Sequence, residues 1–169
     1  DAIRANNTAQ YKDLIANTGI INRTSLPIYQ KREEILRLVA ENNVIILVGE
    51  TGSGKTTQIT QFLNEDEPIL VTFEWIVTCV NEVQFINDIF SIVISLDLNE
   101  NVKLGEEVGY AIRFEDVSGP KTIIKYMTYG ILLRESLVDE NLERYSVIIM
   151  DEAHERSLDT DVLFGVLKR

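Results

Sequence analysis

Apolar and polar positions along this chain follow two periods, one helical and one strand-like. Ile28, Ile35, Leu38 and Val39 share one helical face, with Lys31, Arg32, Glu34 and Arg37 off it. This predicts a helix opened by Ser25 and Pro27 and stopped at Asn42-Asn43. Val44-Ile45-Ile46-Leu47-Val48 is continuous, apolar and rich in β-branched residues, which predicts a strand buried on both faces of a parallel sheet. Residues 49–54 predict a turn, and residues 55–64 a helix that buries Ile59, Phe62 and Leu63. Two strand-like runs of mixed periodicity follow, at 69–80 and 85–98. Residues 103–118 predict a loop with a short strand around 108–114, and Ile123-Ile124 marks another strand. A helix at 130–137, a second buried strand at 147–150 ending at Asp151, and a helix at 161–168 complete the pattern. Strands alternating with helices predict a layered α/β domain. Residues 1–21, polar and Asn-rich, read as an extension outside it.

Composition narrows the possibilities. The 169 residues are 45% hydrophobic and 25% charged, the balance of a globular chain with enough apolar mass for one core. The single cysteine, Cys79, excludes an intramolecular disulfide and a cysteine-built zinc cage. No uninterrupted apolar run approaches the roughly 20 residues of a membrane helix, so no membrane partner is expected, and the N-terminus carries no secretion-signal pattern. The formal net charge of −11 argues against a nucleic-acid partner, because phosphate binding needs clustered Lys and Arg.

The motifs point the other way. Gly49-Glu50-Thr51-Gly52-Ser53-Gly54-Lys55-Thr56 fits the pattern of a phosphate-binding loop. Its glycines let successive backbone N–H groups curl around phosphates, and the helix that follows points its positive end at them. Lys55 is expected to reach the β- and γ-phosphates of ATP, and the Thr56 hydroxyl to bind Mg²⁺. Further on, the apolar run at 147–150 delivers Asp151 and Glu152 at its C-terminal end, where ligands bind in open α/β sheets. Asp151 is expected to hold Mg²⁺ through water, and Glu152 to orient and deprotonate the attacking water. The strands at 44–48 and 147–150 are expected to lie close together. His154, the chain's one histidine, stands three residues after Asp151 and is assigned a functional role.

Asp151-Glu152-Ala153-His154-Glu155-Arg156-Ser157-Leu158 resembles the signature of the DEAH-box RNA helicases. The loop, continued through Thr57 and Gln58, is similar to that family's first motif and adds Thr57 to the nucleotide-contacting set. Leu26-Pro27-Ile28-Tyr29, Gly109-Tyr110-Ala111-Ile112-Arg113-Phe114-Glu115, Ile124-Lys125-Tyr126-Met127-Thr128 and Gly130-Ile131-Leu132-Leu133-Arg134-Glu135 fit as well. The resemblance covers about 22–67 and 102–169 and is closest to the members that remodel the spliceosome. It implies an α/β, RecA-like P-loop NTPase lobe at 22–169, the first of two, with a largely parallel sheet flanked by helices. It further implies ATP hydrolysis coupled to movement on single-stranded RNA, spliceosomal protein partners in pre-mRNA splicing, and the nucleus. His154 would couple the nucleotide site to later motifs. The second lobe, which supplies arginine fingers and half of the RNA groove in the family, has no counterpart in these residues.

Two positions depart from the family pattern. Tyr129 stands where the family usually has Asp, in a motif that contacts the RNA backbone, so either the geometry of that motif is altered or Tyr129 is tolerated on a loop. The family's basic, RNA-gripping stretch is missing: from Thr56 to Val102 there is no Lys or Arg, while eight residues there are acidic. The remaining 122 residues carry 19 acidic against 16 basic residues, a net of −3, so the acidity belongs to this stretch rather than to the helicase-like framework. Residues 69–98 therefore read as an atypical insert or a replaced segment, with 72–98 as intron read-through or a faulty gene model that transcript sequencing would expose. The cluster Phe73, Trp75, Phe85 and Phe90 has no cation beside it and reads as core or aggregation-prone strand before base-stacking platform. Two further classes stay open: a nucleotide-binding P-loop module that is not a helicase, and a fragment with no catalysis of its own.

Overall fold

The structure is a computed structural model that describes residues 23–65, 75–80 and 104–168. It divides into two compact units, Asp1–Gln58 and Ile59–Arg169.

In the first unit, short 3-10 turns at Arg23–Ser25 and Pro27–Lys31 lead into helix α1, Arg32–Glu41. Pro27 sits in the first turn, where its missing N–H has no acceptor to lose. Ile28, Ile35 and Leu36 are buried, and Leu38 and Val39 are half-buried. The helix stops at Asn42, whose side-chain amide donates to the Leu38 carbonyl at 2.9 Å and satisfies one of the orphan acceptors of the last turn. The expected stop is thus where the sequence placed it.

Residues 44–48 correct the reading. They form no strand and are exposed, with Val44, Ile46 and Val48 at 78%, 86% and 89%. A β-branched apolar run favours extended backbone, but a strand exists only when a neighbour supplies the ladder hydrogen bonds. The 147–150 run pairs with residues 75–80, whose composition is also strand-like.

The second unit is built on a five-stranded, mostly parallel sheet. In chain order its strands are β1 (Trp75–Val80), β2 (Val108–Ile112), β3 (Glu115–Val117), β4 (Ile124–Thr128) and β5 (Tyr145–Met150). The spatial order is β3-β2-β4-β1-β5, with only β3 antiparallel. Helices α2 (Lys55–Asn64), α3 (Tyr129–Val138) and α4 (Leu158–Leu167) complete the described elements. The α/β expectation therefore holds. The segment at 69–98 lies outside the described residues except for β1, which is an interior strand, pairing Cys79 with Met127 on one side and Met150 on the other.

The two faces of β4 explain the layering. Lys125 and Met127 alternate with Ile124 and Tyr126, so they point to opposite sides. On one side Met127 joins Cys79, Ala111, Tyr129, Leu132, Leu142, Tyr145 and Leu163 in the core shared with α3 and α4. Each fully buried Leu or Met there contributes about 1.5–3 kcal/mol. On the other side the Tyr126 hydroxyl bonds Thr60 Oγ1 at 2.8 Å, and Phe62 and Leu63 are buried. Lys125, on the Met127 side, is buried as well, held 3.3 Å from Asp116 and 3.6 Å from Glu135, which also accepts a hydrogen bond from the Tyr145 hydroxyl. A buried ammonium needs such carboxylates to offset its lost hydration.

Two boundaries differ from the expectation. Among the described strands β5 lies at the edge of the sheet, and residues 146–150 are half-exposed rather than buried on both faces. Helix α4 begins at Leu158, a turn before the expected 161, because Ser157 caps it: its Oγ accepts the Thr160 N–H at 3.2 Å.

Candidate functional site

The candidate residues fall into two sets, one in each unit. In the first unit, the loop at 49–54 turns through Gly52 and Gly54, whose φ values are +80° and +94°. At Gly54 a side chain would also meet Leu26 at 3.0 Å and Ile28 at 3.3 Å. At Gly52 no atom of the described residues lies within 4 Å of where a Cβ would be. The loop is tied to its surroundings by Ile28 N–H donating to the Ser53 carbonyl at 3.3 Å. Helix α2 starts at Lys55, and its first bond runs from Gln58 N–H to the Gly54 carbonyl at 2.9 Å.

Lys55 closes the loop upon itself. Its ammonium donates to the carbonyls of Gly49 at 2.7 Å and Glu50 at 2.8 Å, and to Ser53 Oγ at 3.4 Å. Gly49, Glu50, Ser53 and Lys55 are thus brought together, Thr51 and Gly52 stand exposed at the bend, and Thr56 and Thr57 lie in the first turn of α2. The Thr57 hydroxyl donates to the Gly54 carbonyl at 3.3 Å. A lysine over a glycine-bent loop at a helix start is the donor set an anion of several charges requires.

In the second unit, three parallel strands end side by side. Strand β4 ends at Thr128 and passes straight into α3 at Tyr129. Strand β1 brings Cys79, and β5 runs out at Met150 into Asp151. The peptide of Asp151 is held from both neighbours. Its N–H donates to the Cys79 carbonyl at 3.0 Å, and its own carbonyl accepts the Tyr129 hydroxyl. Tyr129 is therefore a buried residue of the core and the first residue of α3, not a loop residue. Burial raises its phenol above the ordinary range, with the charges of Asp151 and Glu152 adding to the effect, so it stays a donor.

The carboxylates sit on a strained turn. Glu152 has φ +51° and ψ +30°, a left-handed conformation that costs a non-glycine residue roughly 1–2 kcal/mol. Its N–H donates to Asp151 Oδ1 at 3.0 Å, and its carboxylate lies 3.4 Å from His154 Nε2. His154 is exposed, in the 3-10 turn Ala153–Glu155, so it meets Glu152 at the surface. Arg156 is also left-handed and pairs with Asp161 at 3.1 Å, fixing the exit into α4.

Among the described residues no three His, Cys, Asp or Glu side chains cluster closely enough to hold a metal ion by themselves. The oxygen donors of Asp151 and Glu152 nevertheless suit Mg²⁺, which commonly takes one or two carboxylates and completes its shell with water and phosphate. The sequence points to Asp151, Glu152 and His154 but not to the two groups that hold the Asp151 peptide. The Cys79 carbonyl is a backbone atom and leaves no trace in a motif, and Tyr129 registered only as a departure from a pattern. Among the described residues, no helix is long and apolar enough to cross a membrane. A scan against models of protein families found no match.

Proposed function

We propose that this chain is a nucleotide-binding lobe of the DEAH-box RNA helicase type, taking ATP with Mg²⁺. The observation that carries the reading is the loop at 49–54, bent through two left-handed glycines with the Lys55 ammonium drawn over its carbonyls. On this reading Lys55 exchanges those carbonyls for the β- and γ-phosphates, while Gly49, Glu50, Thr51, Gly52, Ser53, Gly54, Thr56 and Thr57 line the phosphate cradle. By the family resemblance, Thr56 of the first unit, and Asp151 (through water) and Glu152 of the second, are the residues that would hold Mg²⁺. When bound, Mg²⁺ supplies charge neutralisation at the phosphates. Glu152 orients and deprotonates the attacking water, and the contact between His154 and Glu152 gives a route by which that carboxylate senses later motifs.

The absence of Lys and Arg from Thr56 to Val102 favours nucleotide binding without RNA gripping in this chain. RNA, spliceosomal partners and nuclear work follow from the family resemblance, and hydrolysis by this chain is expected near background. Isothermal calorimetry with Mg·ATP and Mg·ADP tests the reading. The wild type binds weakly and Lys55→Ala abolishes binding. Equal affinity in both chains would show that the loop is not the nucleotide site.

A further inference from the structure

We propose that Tyr129 is a positioning residue for the Asp151–Glu152 carboxylates, acting through its hydroxyl on the Asp151 carbonyl. This rests on the reading of those carboxylates as groups that hold a divalent cation.

The geometry assigns the role in three steps. First, the three strand ends converge, so the residue after β4 and the residue after β5 are neighbours although 22 positions apart. Second, the Asp151 peptide is clamped on both sides, by the Cys79 carbonyl at its N–H and by Tyr129 at its C=O. That leaves the next residue, Glu152, to take up the turn in a left-handed conformation. A clamp before a strained residue fixes where its side chain emerges. Third, only a donor serves at this position. A carbonyl oxygen accepts, so an ionised aspartate in place of Tyr129 would face it with a second acceptor. The tyrosine that departs from the helicase pattern is thus matched to the turn it supports. The ring is anchored in the same core as Leu132 and Leu163, and this limits the positions its hydroxyl can take.

The test is Tyr129→Phe in the full 169-residue chain, which removes one oxygen and keeps the ring. Amide hydrogen exchange is followed at Asp151 and Glu152, whose N–H groups bond the Cys79 carbonyl and Asp151 Oδ1, and ADP affinity is measured with Mn²⁺ and with EDTA. Exchange at both amides should accelerate about tenfold, and ADP affinity should fall about tenfold with Mn²⁺ while staying unchanged in EDTA. A residue that only packs would lower the melting temperature and leave the ratio of the two affinities alone. Leu163→Val, a truncation in the same core away from the turn, provides that comparison. Unchanged exchange overturns the proposal, and so does an unchanged affinity ratio in a chain that binds ADP. If the wild type binds no ADP under either condition, the nucleotide reading is what fails, and exchange alone decides the tether. Should the Phe variant not fold, a slowly exchanging Tyr129 hydroxyl proton in the wild-type NMR spectrum upholds the tether, and its absence overturns it.

Discussion

Thr78 offers a direct test of the interior position of β1. It is fully buried between Tyr126 of β4 and Ile149 of β5, and its Oγ1 has no hydrogen-bond partner among the described residues. An unsatisfied buried hydroxyl costs roughly 1–3 kcal/mol of desolvation. Thr78→Val replaces the hydroxyl by a methyl of similar shape, so the penalty is lifted with no cavity and no loss of β-branching. A gain of about 1–2 kcal/mol corresponds to a melting temperature higher by about 2–8 °C in a chain of this size. Circular dichroism melting at pH 7 measures it. Thr78→Ser is the companion variant: it keeps the hydroxyl, loses the methyl and should melt about 2–4 °C lower, a cost of about 1 kcal/mol. A neutral result for both variants refutes the reasoning, because it means residue 78 is in water and β1 does not run between β4 and β5. The experiment therefore also decides whether the atypical segment contributes to the fold.

Further outcomes follow from single contacts. Ser157→Ala removes the side-chain acceptor at the start of α4 and should lower stability by about 1 kcal/mol, read as a shift in the urea midpoint at unchanged m. Burial raises the Cys79 thiol and the Tyr126, Tyr129 and Tyr145 phenols above their ordinary values of 9.0 and 10.0. Native groups then keep protons that the unfolded chain releases, so their contribution is complete below pH 9 and declines as pH rises past the unfolded values. Melting temperature should thus fall steadily from about pH 9 to 11, and a flat profile would contradict the burial of these groups. Cys79 should likewise resist a thiol reagent at pH 8 until denaturant is added, since the thiolate is the reactive form.

Much of the second unit was legible in the sequence because its signals are local. The apolar run at 147–150 and the helix at 130–137 carry their periodicity within a single element, and both are found within a residue or two. The loop at 49–56 is likewise local: glycines bend a chain, a lysine follows, a helix begins. Helix α2 shows where locality ends. Of its expected apolar positions Phe62 and Leu63 are buried and Ile59 is only half-buried, while Gln61 is buried and so are Thr60, which bonds the Tyr126 hydroxyl, and Gln58, which accepts from Arg23 at 2.8 Å.

The sequence by itself determined which residues could do chemistry: a glycine-bent loop with Lys55, and a strand end with Asp151 and Glu152. Only the tertiary structure decided which extended segment became a strand. Residues 44–48 are the more apolar of the two strand-like runs, yet ladder hydrogen bonds form along 75–80 and not along 44–48. It also decided what holds the Asp151 peptide. The partners of the Asp151 peptide come from 22 residues earlier and from a backbone carbonyl on β1, and no local pattern encodes contacts made by converging strand ends.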